Sequence, residues 1–317
     1  MTDLTDSLRA DFDIISVGQA AFPSIMGKRA FYGQKQDRKN YINSKQGVHI
    51  SKYNKNRLLY QQRGKLLSCE RLERYLNEFL KVKKVRDYCP NGLQVEGKRE
   101  IRRVVVSVSA SFELFEKAAA SGADTIIVHH GLLWDKQDRV VRGGFRRRLS
   151  FLLEHDMNLF AFHLPLDCHP ILGNNALAVQ ALGLSALRPF GEHNGQLIGF
   201  CGRFRRPVSS DGLYDKIRDL YGSQPLHFAY GPKSVSTLGI ISGGAQEDIH
   251  DAIKEGLDAY VTGEVSEYVM QVAKEAGIHF LAAGHYATER IGIRALGAHV
   301  AAKFRLPVEY IDVPVPV

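Results

Sequence analysis

The sequence predicts an α/β protein of two pseudo-symmetric lobes with mixed sheets, and three observations carry that expectation. The apolar run Val104-Val105-Val106 leads through a helical segment, about Ser111 to Ser121 and stopped by Gly122, to a second apolar run at Thr125-Ile126-Ile127-Val128. Strand, helix, strand at this length favours parallel pairing with a right-handed crossover. The second half repeats the outline, with Leu238 to Ser242 as a strand, Gln246 to Glu255 as a helix stopped by Gly256, and Ala259 to Thr262 as the next strand. Finally, the runs Leu159-Phe160-Ala161-Phe162 and Phe280-Leu281-Ala282-Ala283 each lead to a His with a carboxylate four residues later: His163 with Asp167, and His285 with Glu289.

Composition sets the frame for these elements. Of the 317 residues, 44% are hydrophobic and 24% charged, ordinary values for a globular chain with ample core. No apolar stretch approaches the roughly 20 residues of a membrane helix, and the N-terminus has no basic region followed by an apolar one, so a cytoplasmic location is expected. Cys69, Cys89, Cys168 and Cys201 form no C-x-x-C and read as free thiols. The formal charge of +8 belongs to an extension: residues 28 to 65 hold eleven Lys or Arg against Asp37, while the rest of the chain is nearly neutral.

Residues 1 to 65 show no sustained period and are expected to be a disordered extension. Lys and Arg interleave there with Tyr32, Tyr41, Tyr53 and Tyr60, so nucleic acid is a conceivable partner for this segment but not for the neutral body. Folded sequence begins near Leu67, where Leu72, Tyr75, Leu76, Phe79 and Leu80 form the stripe of an amphipathic helix. Pro90-Asn91-Gly92 marks a turn before Leu93-Gln94-Val95. A helix near Arg146 to His155 precedes the strand that ends at His163, and Gly173-Asn174-Asn175 is expected to start a helix with the Asn side chains capping it. The expected division is an extension at 1–65, a first α/β lobe at 66–190 and a second at 191–317, with the C-terminal strand and helix able to pack on the first lobe.

Setting Ser109–Gly131 beside Gly243–Val265 matches Gly122-Ala123-Asp124 with Gly256-Leu257-Asp258, and places His129-His130 opposite Gly263-Glu264. Two lobes related in this way bring both sets of strand ends to one seam. Adjacent His129 and His130 end a strand at the lip of a βαβ unit, where ligands usually bind. Side chains alternate along a strand, so the two imidazoles either serve one metal each or one of them is structural. His129, His130, Asp167, His285 and Glu289 together suit a site for two divalent ions (Zn, Fe or Mn), because imidazole with carboxylate fits those metals and a carboxylate can bridge a pair. His163 is expected outside the ligand set, as an orienter or general base. Glu264 and Glu267 are supporting candidates, Glu264 the stronger because it occupies the repeat position of His130.

At these residues the sequence resembles a known family. Asp87-Tyr88-Cys89-Pro90-Asn91-Gly92-Leu93-Gln94-Val95-Glu96-Gly97, Ile127 to Gly131, His163 to Asp167 with Gly173-Asn174-Asn175, Thr262-Gly263-Glu264 and Gly284 to Arg290 are similar to the Nif-three-like dinuclear metal proteins, whose bacterial members are often labelled type-2 GTP cyclohydrolase I homologues. The resemblance spans about residues 67 to 317. It implies that the five residues named above are the metal ligands and that the chain assembles as a toroidal homohexamer with its sites facing inward. It also implies that this is a short member, with no added central domain between Gly191 and Ser242. The function to expect is a metal-dependent hydrolase acting on a small molecule, a nucleotide or related heterocycle. A non-enzymatic metal-handling or partner-binding assembly is the alternative. No Walker-type phosphate loop is present, so recognition of GTP comes from the label and not from the residues.

Overall fold

In the computed structural model, which describes residues 67–317, the short strand β1 (Leu67–Ser68) leads into helix α1 (Cys69–Phe79). The expectation for residues 1 to 65 lies outside the described residues. Ser68 caps α1 by accepting from the Arg71 N–H at 3.2 Å, and the predicted stripe is turned inward, with Leu72 and Leu76 fully buried. Strands β2 (Gly92–Val95), β3 (Glu100–Ile101) and β4 (Val104–Ser109) follow. Helix α2 (Phe112–Ala120) is capped by Ser111, whose Oγ accepts from the Leu114 N–H, and it stops at Gly122, which holds φ +75. Then come β5 (Thr125–His130), α3 (Gly143–Glu154), β6 (Asn158–Ala161), the single turn α4 (Leu164–Asp167) and α5 (Asn174–Ala181).

A long hairpin opens the second half: β7 (Leu184–His193) and β8 (Gln196–Ser209), joined at Asn194-Gly195. Helix α6 (Ser210–Tyr221) precedes β9 (Leu226–Ala229) and β10 (Ser234–Ile240). A 3-10 turn at Gln246–Asp248 runs into α7 (Ile249–Lys254), so the predicted helix is present with its first turn tightened. Next are β11 (Ala259–Thr262), α8 (Val269–Ala276), β12 (His279–Ala282), the long helix α9 (His285–Phe304) and β13 (Val308–Tyr310).

Two mixed sheets organise these elements. The first has the order β13-β4-β5-β6-β2 and the second β7-β8-β10-β11-β12-β9. Strands β4, β5 and β6 are parallel with β2 antiparallel beside β6; β10, β11 and β12 are parallel with β9 antiparallel beside β12. The repeat seen in the sequence therefore includes an antiparallel edge strand in each half. Helices cover both faces of both sheets, which is why β5 and β11 are apolar at every position save their ends and not alternating. The fold is mixed α/β.

Helix α9 is shared between the sheets. Tyr286, Ile293, Leu296 and Val300 enter the core on β4, whereas Ala287 and Ile291 pack against the core of the second sheet. A helix buried on several sides lacks a single apolar stripe, so its period in the sequence is weak. It approaches β4 closely: a Cβ on Gly297 would stand 2.8 Å from Val106 Cγ2. Each fully buried aliphatic side chain along it stabilises the fold by about 1.5–3 kcal/mol. Among the described residues no helix is long and apolar enough to cross a membrane.

Two expectations need correction. The strand expected at Leu238 to Ser242 ends at Ile240, because Ser242 and Gly243 leave the ladder to make contacts described below. Asn174 and Asn175 do not cap α5. Gly173 is its N-cap with no side-chain bond, and both amides reach across the fold instead.

Candidate metal centre

The segment after β6, with His163 and Asp167, and the start of α9, with His285 and Glu289, line one pocket of ≈ 220 Å³, and the C-terminal end of β5 meets these carboxylates from within the fold. His129 and His130 end β5, and their ring centroids are 4.6 Å apart. The alternation expected of a strand does not separate them: His129 Nε2 lies 3.4 Å from Glu289 Oε1 and His130 Nε2 lies 3.1 Å from Glu289 Oε2. Asp167 Oδ2 is a further 3.4 Å contact of His129 Nε2, and His285 Nε2 is 3.2 Å from Glu289 Oε1. The five residues anticipated as ligands are thus in one cluster. Its subsets His130, His285, Glu289 and His129, Asp167, Glu289 each bring three donor atoms close enough to hold one ion.

The cluster has the features of a metal-ligand set. His129 is fully buried and Glu289 is 2% exposed, yet His129 Nε2 and Glu289 Oε2 have no hydrogen-bond partner. Buried polar atoms without partners are rare, because leaving one unsatisfied costs about 1–3 kcal/mol. Here both point into a group of imidazoles and carboxylates, the donors that suit a divalent transition metal. Glu289 runs along a glycine: Gly243 holds φ +73, and a Cβ there would stand within van der Waals overlap of the Glu289 carboxylate.

Hydrogen bonds fix four of the five donors. His129 Nδ1 is 2.9 Å from the Phe162 carbonyl, which leaves Nε2 for the cluster. Ser109 Oγ lies 3.0 Å from His130 Nδ1, and Glu264 Oε1 lies 2.6 Å from His285 Nδ1. Asp167 Oδ1 accepts from Asn174 Nδ2 and from Ser242 Oγ, at 2.8 and 3.0 Å, so Oδ2 is the oxygen turned to His129. Asn174 also accepts from the Gly292 N–H on α9, and Asn175 joins Ile198 to Ser242. These buried amides tie α4, α5, β8 and α9 around Asp167, a use that outweighs capping one helix.

The charges are mutually set. Burial would push the Glu289 carboxyl up, but His130 and His129 hold it well below the usual range. Burial lowers His129, yet Asp167 and Glu289 overcome it and raise its pKa to about 9. His285 is likewise lowered by burial and raised by Glu289 and Glu264 to about 9. Burial leaves His130 below its ordinary value.

His163 makes none of these carboxylate contacts, although one of its nitrogens lies within 4.8 Å of donor atoms of His129 and His130, a third group able to hold an ion. Its ring is 5.1 Å from that of His129 and 5.6 Å from that of His130, while Nδ1 is 2.9 Å from Asp87 Oδ1. Asp87 Oδ2 accepts from Asn91 Nδ2 and the Leu164 N–H, and Asn91 Oδ1 accepts from the His163 N–H. Burial disfavours the Asp87 carboxylate, but His163 and these donors hold its pKa below the usual value. Neither Asp87 nor Asn91 has a role that periodicity or spacing could assign. Their signal lay in the turn segment Asp87 to Gly97, which carried the resemblance without indicating what each residue does. Glu267 is exposed and takes no part; His169 is buried against Phe79, and its Nδ1 accepts from the N–H groups of Ile171 and Leu172.

A family model for Duf34/NIF3 (NGG1p interacting factor 3) matches residues 67–315. The chain belongs to the DUF34/NIF3 family. A relative from Vibrio cholerae named "GTP cyclohydrolase 1 type 2 homolog" is 43% identical over 248 residues, covering 78% of this chain and 98% of the relative. Among solved structures, the chain is similar to "protein ybgI, unknown function", with TM-score 0.75 and 42% identity over 79% of this chain and all of that one. It is also similar to TTHA1606 from Thermus thermophilus, with TM-score 0.73 and 37% identity over 79% of this chain and all of the other. Membership in this family accounts for the shared α/β fold.

Proposed function

We propose that the chain is a metal-dependent hydrolase acting on a nucleotide or related heterocycle, with His129, His130, Asp167, His285 and Glu289 holding two divalent ions and His163 moving protons. One observation carries most of the weight: Glu289 places one oxygen by His129 and His285 and the other by His130, and so belongs to two of the three-donor groups that could hold an ion. Bound ions supply Lewis acidity at the pocket. The protein's part is to keep the donors oriented through Phe162, Ser109, Glu264 and Asn174, and to exclude water by burying Asp167 and Glu289.

His163 is suited to proton transfer by its neighbours. Asp87 engages Nδ1, which leaves Nε2 as the nitrogen free to exchange a proton with a reacting group. The name of the Vibrio cholerae relative supports a purine-like substrate. A ring-shaped homohexamer belongs to the same proposal. Elemental analysis of untagged protein, followed by turnover with a panel of nucleotides, tests it. About two equivalents of metal with hydrolysis of at least one nucleotide are expected; metal without turnover on any of them would remove the enzyme and leave the metal centre.

A further inference from the structure

The pocket beside the cluster has a further carboxylate-held imidazole, besides His163 and His285, with no role so far. His193 lines it, together with Asp167, Glu264, His285 and Glu289. It is the last residue of β7, and the turn that follows, Asn194 at φ +52 and Gly195 at φ +80, is the two-residue kind that fixes hairpin register. His193 Nε2 is 3.0 Å from Asp248 Oδ2, and Asp248 is only 7% exposed.

The hairpin tip is also tied to the segment just before Tyr88. Gln196, the register partner of His193, accepts from the Arg86 N–H at 2.9 Å and donates to the Arg86 carbonyl at 2.7 Å. This pair of hydrogen bonds holds the tip against the segment carrying Asp87 and Tyr88, the second of which lines the same pocket. The His193 ring is thus held by Asp248, and its backbone by the register with Gln196. With Nε2 engaged by Asp248, Nδ1 of this pocket-lining imidazole is the nitrogen without a protein partner among the described residues, and the side chain is 41% exposed.

We propose that His193 is an anion-recognition residue of this site, binding an oxyanion of the phosphate or carboxylate kind on the molecule that reaches the cluster. The hydrogen bond to Asp248 raises the His193 pKa against the effect of burial, which favours the form with N–H donors on both nitrogens. This inference rests on the metal-centre proposal, because ions at Asp167 and Glu289 offset the carboxylate charge that an anion would otherwise meet.

Inorganic phosphate titrated calorimetrically into the metal-loaded full chain tests it. His193→Gln is expected to weaken phosphate about tenfold or more, the loss of one charge-assisted hydrogen bond, with His193→Lys retaining most of the affinity. Asp248→Asn should weaken it in the same direction while leaving the hairpin register unchanged. Equal phosphate affinity in wild type and His193→Gln, or no phosphate binding by wild type in the millimolar range, would overturn the inference. Elemental analysis of the same samples separates the two ideas: full metal with unchanged phosphate affinity defeats only the role of His193, and absence of metal from wild type defeats the metal-centre proposal.

Discussion

Asp167 and Glu289, on α4 and α9, both place a carboxylate oxygen 3.4 Å from Nε2 of His129. Far apart in the chain, they share one buried imidazole, so the cluster is complete only when α9 lies across the first sheet. Replacing Glu289 by Gln keeps its shape and removes its charge. The variant should retain its far-UV circular dichroism while bound metal, measured by elemental analysis, falls below half, the more weakly held ion first. Full occupancy in Glu289→Gln would sink the assignment of Glu289 as a ligand.

Glu264 should act through His285. Its Oε1 lies 2.6 Å from His285 Nδ1, and carboxylates that orient a ligating imidazole typically contribute about 10–100-fold in metal affinity. Competition of Glu264→Gln with a chelating dye is expected to show a loss in that range. An unchanged affinity would make Glu264 a surface residue.

For His163 the expectation is the reverse. His163→Asn should leave metal content nearly intact and lower any hydrolytic rate by about 10²–10⁴-fold, the usual contribution of a positioned acid or base. Loss of metal with this substitution would move His163 into the ligand set and remove its role as proton carrier.

Stability should depend on acid through His227, away from the cluster. Burial, and then the neighbouring His279 at 3.3 Å, lower the His227 pKa from 6.5 to about 4, with Asp211 opposing. Between those values the unfolded chain binds the extra proton, so the contribution is whole above about pH 6.5 and declines as pH falls towards 4. Because the ring is partly exposed, a loss on the order of 1 kcal/mol is expected. Urea unfolding across that range should show the decline in wild type and a flatter profile in His227→Gln; identical slopes would exclude His227 as the source.

The sequence made the strand ends legible because β5, β6 and β12 are short apolar runs that stop at His, His and Gly-His. The recurrence of His-x-x-x-carboxylate pointed to Asp167 and Glu289, and both lie in the cluster. Yet the two halves use the pattern differently. His285 pairs with its own Glu289, whereas His163 turns to Asp87, which lies in a loop that no periodicity links to β6. Asn174 and Asn175 were misread as caps for a related reason: an Asn before a helix looks the same in sequence whether its amide bonds locally or across the core. Nothing in the sequence marks His193, because its partner Asp248 sits in another element and a hairpin end carries no motif.

The placement of β13 and α9 has a consequence for the order of synthesis. Strand β4 lies inside the first sheet only because Val308–Tyr310 pair with Val104–Val106 on its outer side. A nascent chain that has left the ribosome as far as β12 already contains His129, His130 and Asp167. It still lacks Glu289, and β4 remains an unpaired edge of apolar residues, the kind of surface that recruits other strands. Elements translated last therefore close the sheet translated first, and the cluster cannot assemble on an unfinished chain.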